Sequence, residues 1–223
     1  MKYTCCEALM WHALTPAMFR WLKERKPDWD LPALKRAAKK RFRQMAERTP
    51  EIGSLSKNSL RICLSGGMVW LSVYEAAGGN MDEDCFAGMV LASMETPLVK
   101  GSFRKKELFT AKAQKKRAAN AQKGNAASDS PFNWKTEVLP GRDADECTLL
   151  YHQCGLCALG RQEGLLHLVP HMCVLDIRSV EWMGGVLYRT QTLATGGDCC
   201  DFYVCKKGSQ WDRMKRAEAE EER

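Results

Sequence analysis

Apolar positions in the first half of the chain recur every three or four residues, and after position 131 they recur every second residue. Leu31, Leu34, Ala38, Phe42 and Met45 share one helical face while Lys35, Arg36, Lys39, Lys40 and Arg43 fill the others, which predicts an amphipathic basic helix. Leu60, Cys63, Leu64, Gly67, Met68, Leu71 and Tyr74 keep the same period inside the longest apolar run. That pattern predicts a central buried helix, with Gly66-Gly67 marking a close approach of another backbone. Thr15-Pro16 reads as the cap and first residue of a shorter helix carrying Met18, Phe19 and Leu22. Asp82 or Asp84 caps a further helix over Phe86, Met89, Val90 and Met94, which ends at Thr96-Pro97. Residues 100–123, alanine-rich and basic, read as one long, partly exposed helix.

The run GNAASDSP at 124–131 is the clearest break in composition and marks a lobe boundary. Beyond it Phe132, Trp134, Thr136 and Val138 alternate with polar neighbours, and with the turn PGRDAD they predict a hairpin over 132–152. Residues 154–162 and 170–183 read as helices, and 185–193 and 199–206 as two more strands around a Gly-Gly turn. The expected fold class is α+β. A helical lobe over 1–125 precedes a β-β-α-α-β-β antiparallel lobe over 126–206 with its helices on one face, and a charged tail covers 207–223.

With 45% hydrophobic and 27% charged residues among 223, the composition is that of a folded globular chain. The apolar run over 62–74 is too short to cross a bilayer, and the N-terminal residues lack a secretory signal pattern. We therefore expect a cytoplasmic protein, away from the membrane, whose eleven cysteines are reduced thiols. The net charge of +7 comes from 20–48, with eleven Lys/Arg against four acids, and 100–123, with nine against one. Residues 129–205 carry five basic and ten acidic residues. Without a groove-reading motif or interleaved aromatics, this distribution argues against a nucleic-acid partner; solvated basic helices, or a face for a protein partner, account for it.

Seven of the eleven cysteines and three of the four histidines fall between 147 and 205, and composition makes that stretch the candidate site. Cys154 and Cys157 form a Cys-x-x-Cys pair, a redox pair or half of a metal site, with no second pair at matching spacing. Cys199 and Cys200 are adjacent and point to opposite faces of a strand. Cys173 and Asp176, three apart on a helix, share a face. A thiol beside a proton carrier is the minimum for attack on an electrophilic carbon, provided a cation such as Arg189 or His171 lowers the thiol pKa. The plainer reading of Cys173 is a buried helical cysteine acting as a small hydrophobe. Asp198 beside Gly196-Gly197 reads as a turn former, whereas Asp201 inside the alternating run CCDFYV needs a partner if its face is covered.

Over 150–204 these residues resemble the L-2-amino-thiazoline-4-carboxylic acid hydrolase family, with weaker similarity over 110–149. The family pattern of Cys-x-x-Cys, then Cys-x-x-Asp on a helix, then R-T-x-T-L-x-x-G-G-D-C-C-D-F falls here on Cys154 and Cys157, Cys173 and Asp176, and Arg189 through Phe202. The resemblance implies hydrolytic opening of a cyclic amidine at the carbon between its nitrogens, on a small-molecule substrate that carries a carboxylate. It implies Cys173 as nucleophile, Asp176 or Asp201 as proton carrier, Arg189 as carboxylate clamp, and Thr190, Thr192 and Cys200 as further substrate contacts. No cofactor is implied. The rival expectation is a non-catalytic metal- or small-ligand-binding sensor, with Cys154, Cys157, Cys173 and Cys200 holding zinc or iron.

Overall fold

The computed structural model describes Met1 and residues 3–214. The first helix, α1 (Cys5–Arg25), begins well before the predicted boundary at Thr15-Pro16. Its start is fixed by a capping box: Thr4 accepts the Cys6 amide, and the Glu7 carboxylate accepts the Thr4 amide at 2.8 Å. Thr15 instead donates its hydroxyl to the Trp11 carbonyl at 2.8 Å, and Pro16 sits inside the helix, where it supplies no amide to the preceding turn. The next two helices follow their apolar periods. α2 (Leu31–Arg48), capped by Asp30, buries Leu34, Ala38, Phe42 and Met45, and α3 (Arg61–Ala76) is buried along most of its length. A Cβ at Gly67 would lie 2.3 Å from Leu156 Cδ2, so a side chain, not a second backbone, needs that glycine.

Asp82 caps α4 (Glu83–Met94), and Thr96 caps α5 (Pro97–Arg104). The single helix predicted over 100–123 is divided: Thr110 accepts the Ala113 amide and starts α6 (Ala111–Ala127). The break has a packing reason. Phe109 leaves the helical path to join the apolar cluster beneath the sheet, against Gly185, where a Cβ would stand 2.7 Å from its ring.

The predicted period change appears as the strands β1 (Lys135–Pro140) and β2 (Glu146–Gln153), the helices α7 (Gly155–Glu163) and α8 (Val169–Trp182), and the strands β3 (Gly185–Tyr188) and β4 (Cys200–Lys206). The sheet is antiparallel throughout, in the order β1-β2-β4-β3. In the β2–β4 register Cys147, Leu149 and Tyr151 face Val204, Phe202 and Cys200, and this side is covered by Val180 and Ile177 of α8 and by Arg117 of α6. β3 is shorter than the predicted strand over 185–193 because the Asp201 carboxylate accepts the amides of Thr190 and Gln191 and draws the backbone off the ladder. Across the opposite face the chain after β4 turns back. Trp211 donates its indole N–H to Asp143 at 2.8 Å, Tyr188 donates its hydroxyl to Asp212 at 2.7 Å, and Arg142 stacks 3.5 Å over the Trp211 ring. Positions 215–223 of the predicted tail lie outside the described residues.

One buried cluster draws on both parts of the chain: Trp11, Met18, Phe42, Met68 and Phe86 pack together with Trp134, Leu159, Met172 and Leu175. Glu7 is fully buried inside it, accepting from Arg61 Nε and Ser65 Oγ, each at 3.0 Å. Burial alone would raise the Glu7 pKa, but the hydrogen bonds from Thr4, Arg61 and Ser65 together outweigh it and hold the carboxyl below its ordinary value. Among the described residues no helix is long and apolar enough to cross a membrane.

Candidate active site

Where α3, α7 and α8 meet the covered face of the sheet they leave a cavity of ≈ 240 Å³. Its wall is largely apolar and aromatic, with Trp70, Phe103, Trp134, Tyr151 and Phe202 among the residues that form it. Four thiols, Cys63, Cys154, Cys173 and Cys200, open onto it together with Asp176.

Each side chain reaches the cavity for a local reason. Cys173 and Asp176 are one turn apart on α8, the face that the three-residue spacing implies. Cys154 is the cap residue of α7, at the end where unpaired backbone amides and the positive end of the helix dipole favour an anion. Gly155, next to it, lets this helix start against the sheet: a Cβ there would be 2.1 Å from the Phe132 carbonyl oxygen and 2.7 Å from the Trp134 ring. Cys200 comes from the first residue of β4, where its sulfur accepts the Leu193 amide at 3.3 Å.

The electrostatics separate these groups. The Cys154 thiol is lowered from its ordinary value chiefly by a hydrogen bond from the Cys157 thiol, with the amides of Cys157 and Leu156 adding to it against burial and the Asp176 charge. The same hydrogen bond, with burial, raises Cys157. Cys173 goes the other way. Burial, then the Asp176 charge, push its thiol up to about 12, with Arg189 opposing. Cys200 rises to about 11, mainly through burial, whereas Cys63 is exposed. Asp176 is raised to about 7 by burial, and Arg189 offsets only part of that. Nearly half of the Asp176 side chain (46%) is accessible and it lines the cavity, so the carboxyl stays open to a small molecule.

Arg189 stands behind this group. Its Nη1 donates to the Cys173 carbonyl oxygen at 3.0 Å, lies 3.7 Å from Asp176 Oδ2, and its guanidinium carbon sits 5.7 Å from the centre of the Phe202 ring. Asp201 is on the other face of β4, away from the cavity. It accepts the Thr190 hydroxyl at 2.6 Å and the Gln191 amide at 2.8 Å, and these bonds outweigh burial and keep its carboxyl below the ordinary value. Thr190 is thereby tied to Asp201, and Thr192 is buried with its hydroxyl 3.0 Å from that of Thr195. Gln191 completes the loop by accepting the Asp198 amide at 3.0 Å, and Gly196 supplies the left-handed turn at φ +90°. The segment from Arg189 to Phe202 is thus a hydrogen-bonded loop that delivers Arg189 and Cys200 to the site, while Asp201, Thr190 and Thr192 build the loop itself.

Cys63 and Tyr151 were absent from the sequence-based site. Cys63 shares its helical period with buried residues and reads as core, and Tyr151 lies in an ordinary strand pattern. The adjacency of Cys154 to a predicted helix start was the legible signal for its position. Among the described residues no group of three or more His, Cys, Asp or Glu side chains is placed to hold a metal ion. Cys154, Cys173 and Cys200 share the cavity wall, and Cys157 is buried behind Cys154.

No curated protein and no solved structure gives a significant match to the chain. The family model described as L-2-amino-thiazoline-4-carboxylic acid hydrolase matches residues 65–204, a span that runs from within the cavity-lining helix α3 into the covered strand β4. With the larger part of its length matched, including Cys154, Cys173, Asp176, Arg189 and Cys200, the chain belongs to the L-2-amino-thiazoline-4-carboxylic acid hydrolase family.

Proposed function

We propose that the protein is a hydrolase that opens a small cyclic amidine at its C–N bond, with Cys154 as nucleophile and Asp176 as proton carrier. The observation that supports this most is a thiol at a helix N-terminus sharing one cavity with a carboxyl that burial raises to about 7. Proton transfer at neutral pH is most effective from a group of that pKa, and a lowered thiol supplies the attacking thiolate.

In the first step Cys154 Sγ bonds to the amidine carbon. As the bond from that carbon to the ring nitrogen breaks, the nitrogen takes the proton of the Asp176 carboxyl and leaves as an amine, still tethered through the opened ring. The carbon is now a thioimidate on Cys154. In the second step water adds to it, gives its proton to the Asp176 carboxylate, and the C–S bond breaks to return the thiolate. Arg189 is a positioning residue: it holds α8 through the Cys173 carbonyl and keeps Asp176 oriented. Cys173, held as a neutral thiol, is a hydrogen-bond donor in the wall.

The test is incubation with 2-amino-thiazolines, with the product identified by mass spectrometry as substrate plus one water. Cys154→Ser is expected to lose the activity, Cys173→Ser to keep part of it, and iodoacetamide to label Cys154 before the other cysteines at neutral pH. Binding without turnover would replace this reading with the ligand-sensor alternative.

A further inference from the structure

Two cations stand over rings of the cavity wall. The Arg189 guanidinium faces Phe202, and the Lys106 ammonium lies 4.4 Å from the centre of the Phe103 ring. Arg189, the clamp expected from the family resemblance, is already engaged, since it donates to the Cys173 carbonyl at 3.0 Å and stands 3.7 Å from Asp176. Lys106 is not. Among the described residues it pairs with no carboxylate, whereas Lys100, earlier on the same segment, lies 3.9 Å from Glu95. Its place is fixed from the backbone up. The Lys106 amide donates to the Phe103 carbonyl at 2.8 Å and closes the end of α5, and the Phe103 ring packs on Trp182 of α8 with 5.7 Å between centres. The helix that carries Asp176 thus also anchors the ring beneath Lys106. Ile62 and Cys63, exposed residues of the same wall, mark where the cavity opens, and Cys63 lies within electrostatic reach of both Lys106 and Asp176.

A 2-amino-thiazoline-4-carboxylate carries charges of both signs: an amidinium around C2, and a carboxylate on the ring carbon beyond the ring nitrogen. Asp176 suits the amidinium. The carboxylate then needs a cation near the opening, where it stays partly in water and a flexible lysine can follow it. We propose that Lys106 binds the substrate's carboxylate, so that the connection between α5 and α6, rather than Arg189, sets the specificity for an acid. Phe103 seats the ammonium in the free protein, and the arriving carboxylate draws it off the ring. The inference rests on the cyclic-amidine reading above and adds to it the recognition of the acid group.

Titration calorimetry on the full chain with two probes, 2-amino-thiazoline-4-carboxylate and 2-amino-thiazoline, tests it. The native protein is expected to prefer the carboxylate by about tenfold, the order of one hydrogen bond between charged groups, and added salt should narrow that gap. Lys106→Ala should remove the preference by weakening the carboxylate alone, and Lys106→Arg, which keeps the charge, should retain it. Lys106 is exposed, so neither substitution bears on the core. Lys100→Ala should leave both affinities unchanged. An equal loss for both probes in Lys106→Ala, no loss for either, or no preference in the native protein overturns the proposal. Turnover separates this inference from the reading beneath it. Loss of the preference in Lys106→Ala, without ring opening by the native protein, upholds the carboxylate site and removes the hydrolase mechanism. Ring opening by the native protein, with Lys106→Ala indistinguishable from it on both probes, does the opposite.

Discussion

Asp176 illustrates how a single side chain carries a cost in stability for a gain in chemistry. Its pKa is raised in the folded protein from 3.8 to about 7. Below pH 3.8 the carboxyl is protonated whether the chain is folded or not, and it has no effect on stability. Between that value and about 7 the unfolded chain releases the proton and the folded chain retains it, so stability falls as pH rises and then levels off. Asp176→Asn is therefore expected to lower kcat by about 10²–10⁴-fold, the usual contribution of a positioned proton carrier, while melting no lower than the native protein at pH 8. Thermal scans at pH 4 and pH 8 check the sign. A variant that loses stability at pH 8 but not at pH 4 would mean that the pairing with Arg189 outweighs burial. At this scale sequence spacing revealed the Cys173–Asp176 pair because both lie on one helix. It could not rank the thiols, because Cys154 and Cys173 differ in what other elements bring near them: backbone amides and Cys157 in one case, a carboxylate in the other.

The element that governs the site's geometry is the start of α7. Gly155 permits the helix to begin within contact of the Phe132 carbonyl and the Trp134 ring, and that approach sets where Cys154 opens into the cavity. Gly155→Ala would press a methyl group against backbone and a packed indole, neither of which can yield easily. We expect a loss of about 1–3 kcal/mol in a urea titration, the usual cost of overpacking, together with slower alkylation of Cys154. Gly196→Ala, which strains a left-handed turn, should destabilise the β3–β4 loop while leaving the start of α7 in place. Most elements were legible in the sequence because their apolar periods and caps agree, as at Asp30 and Asp82. Those misplaced were decided by interactions a local pattern does not contain. Thr4 and Glu7 begin α1 upstream of a proline, Phe109 divides a helix to reach the sheet, and Asp201 ends β3 from the neighbouring strand.

On the scale of the molecule, the shift from helical to strand periodicity divides the sequence more sharply than it divides the packing. Trp134, Leu159, Met172 and Leu175, all beyond the composition break, are buried in the cluster formed by α1 to α4. Arg48 of α2 also pairs with Glu163 of α7 across that division. Unfolding the sheet-bearing part alone would expose the apolar side of α3 and α4, so the two parts are expected to unfold in one transition. The buried thiols provide reporters without added labels, since Cys6 of α1 and Cys205 of β4 are 6% and 0% exposed. Pulsed alkylation across a urea series should make both reactive at the same midpoint. Glu7→Ala removes the acceptor of Arg61 Nε and Ser65 Oγ while Arg61 keeps Glu51 and the Gly53 carbonyl, a change expected to cost about 1–3 kcal/mol. If the core is shared, that substitution in α1 must lower the midpoint for Cys205 in β4 as much as for Cys6. The effect should also shrink as pH falls below 4.5, because the Glu7 carboxyl, held below its ordinary value in the fold, contributes its stability only while ionised. A midpoint for Cys205 that stays in place while that for Cys6 drops would show two independently folding units.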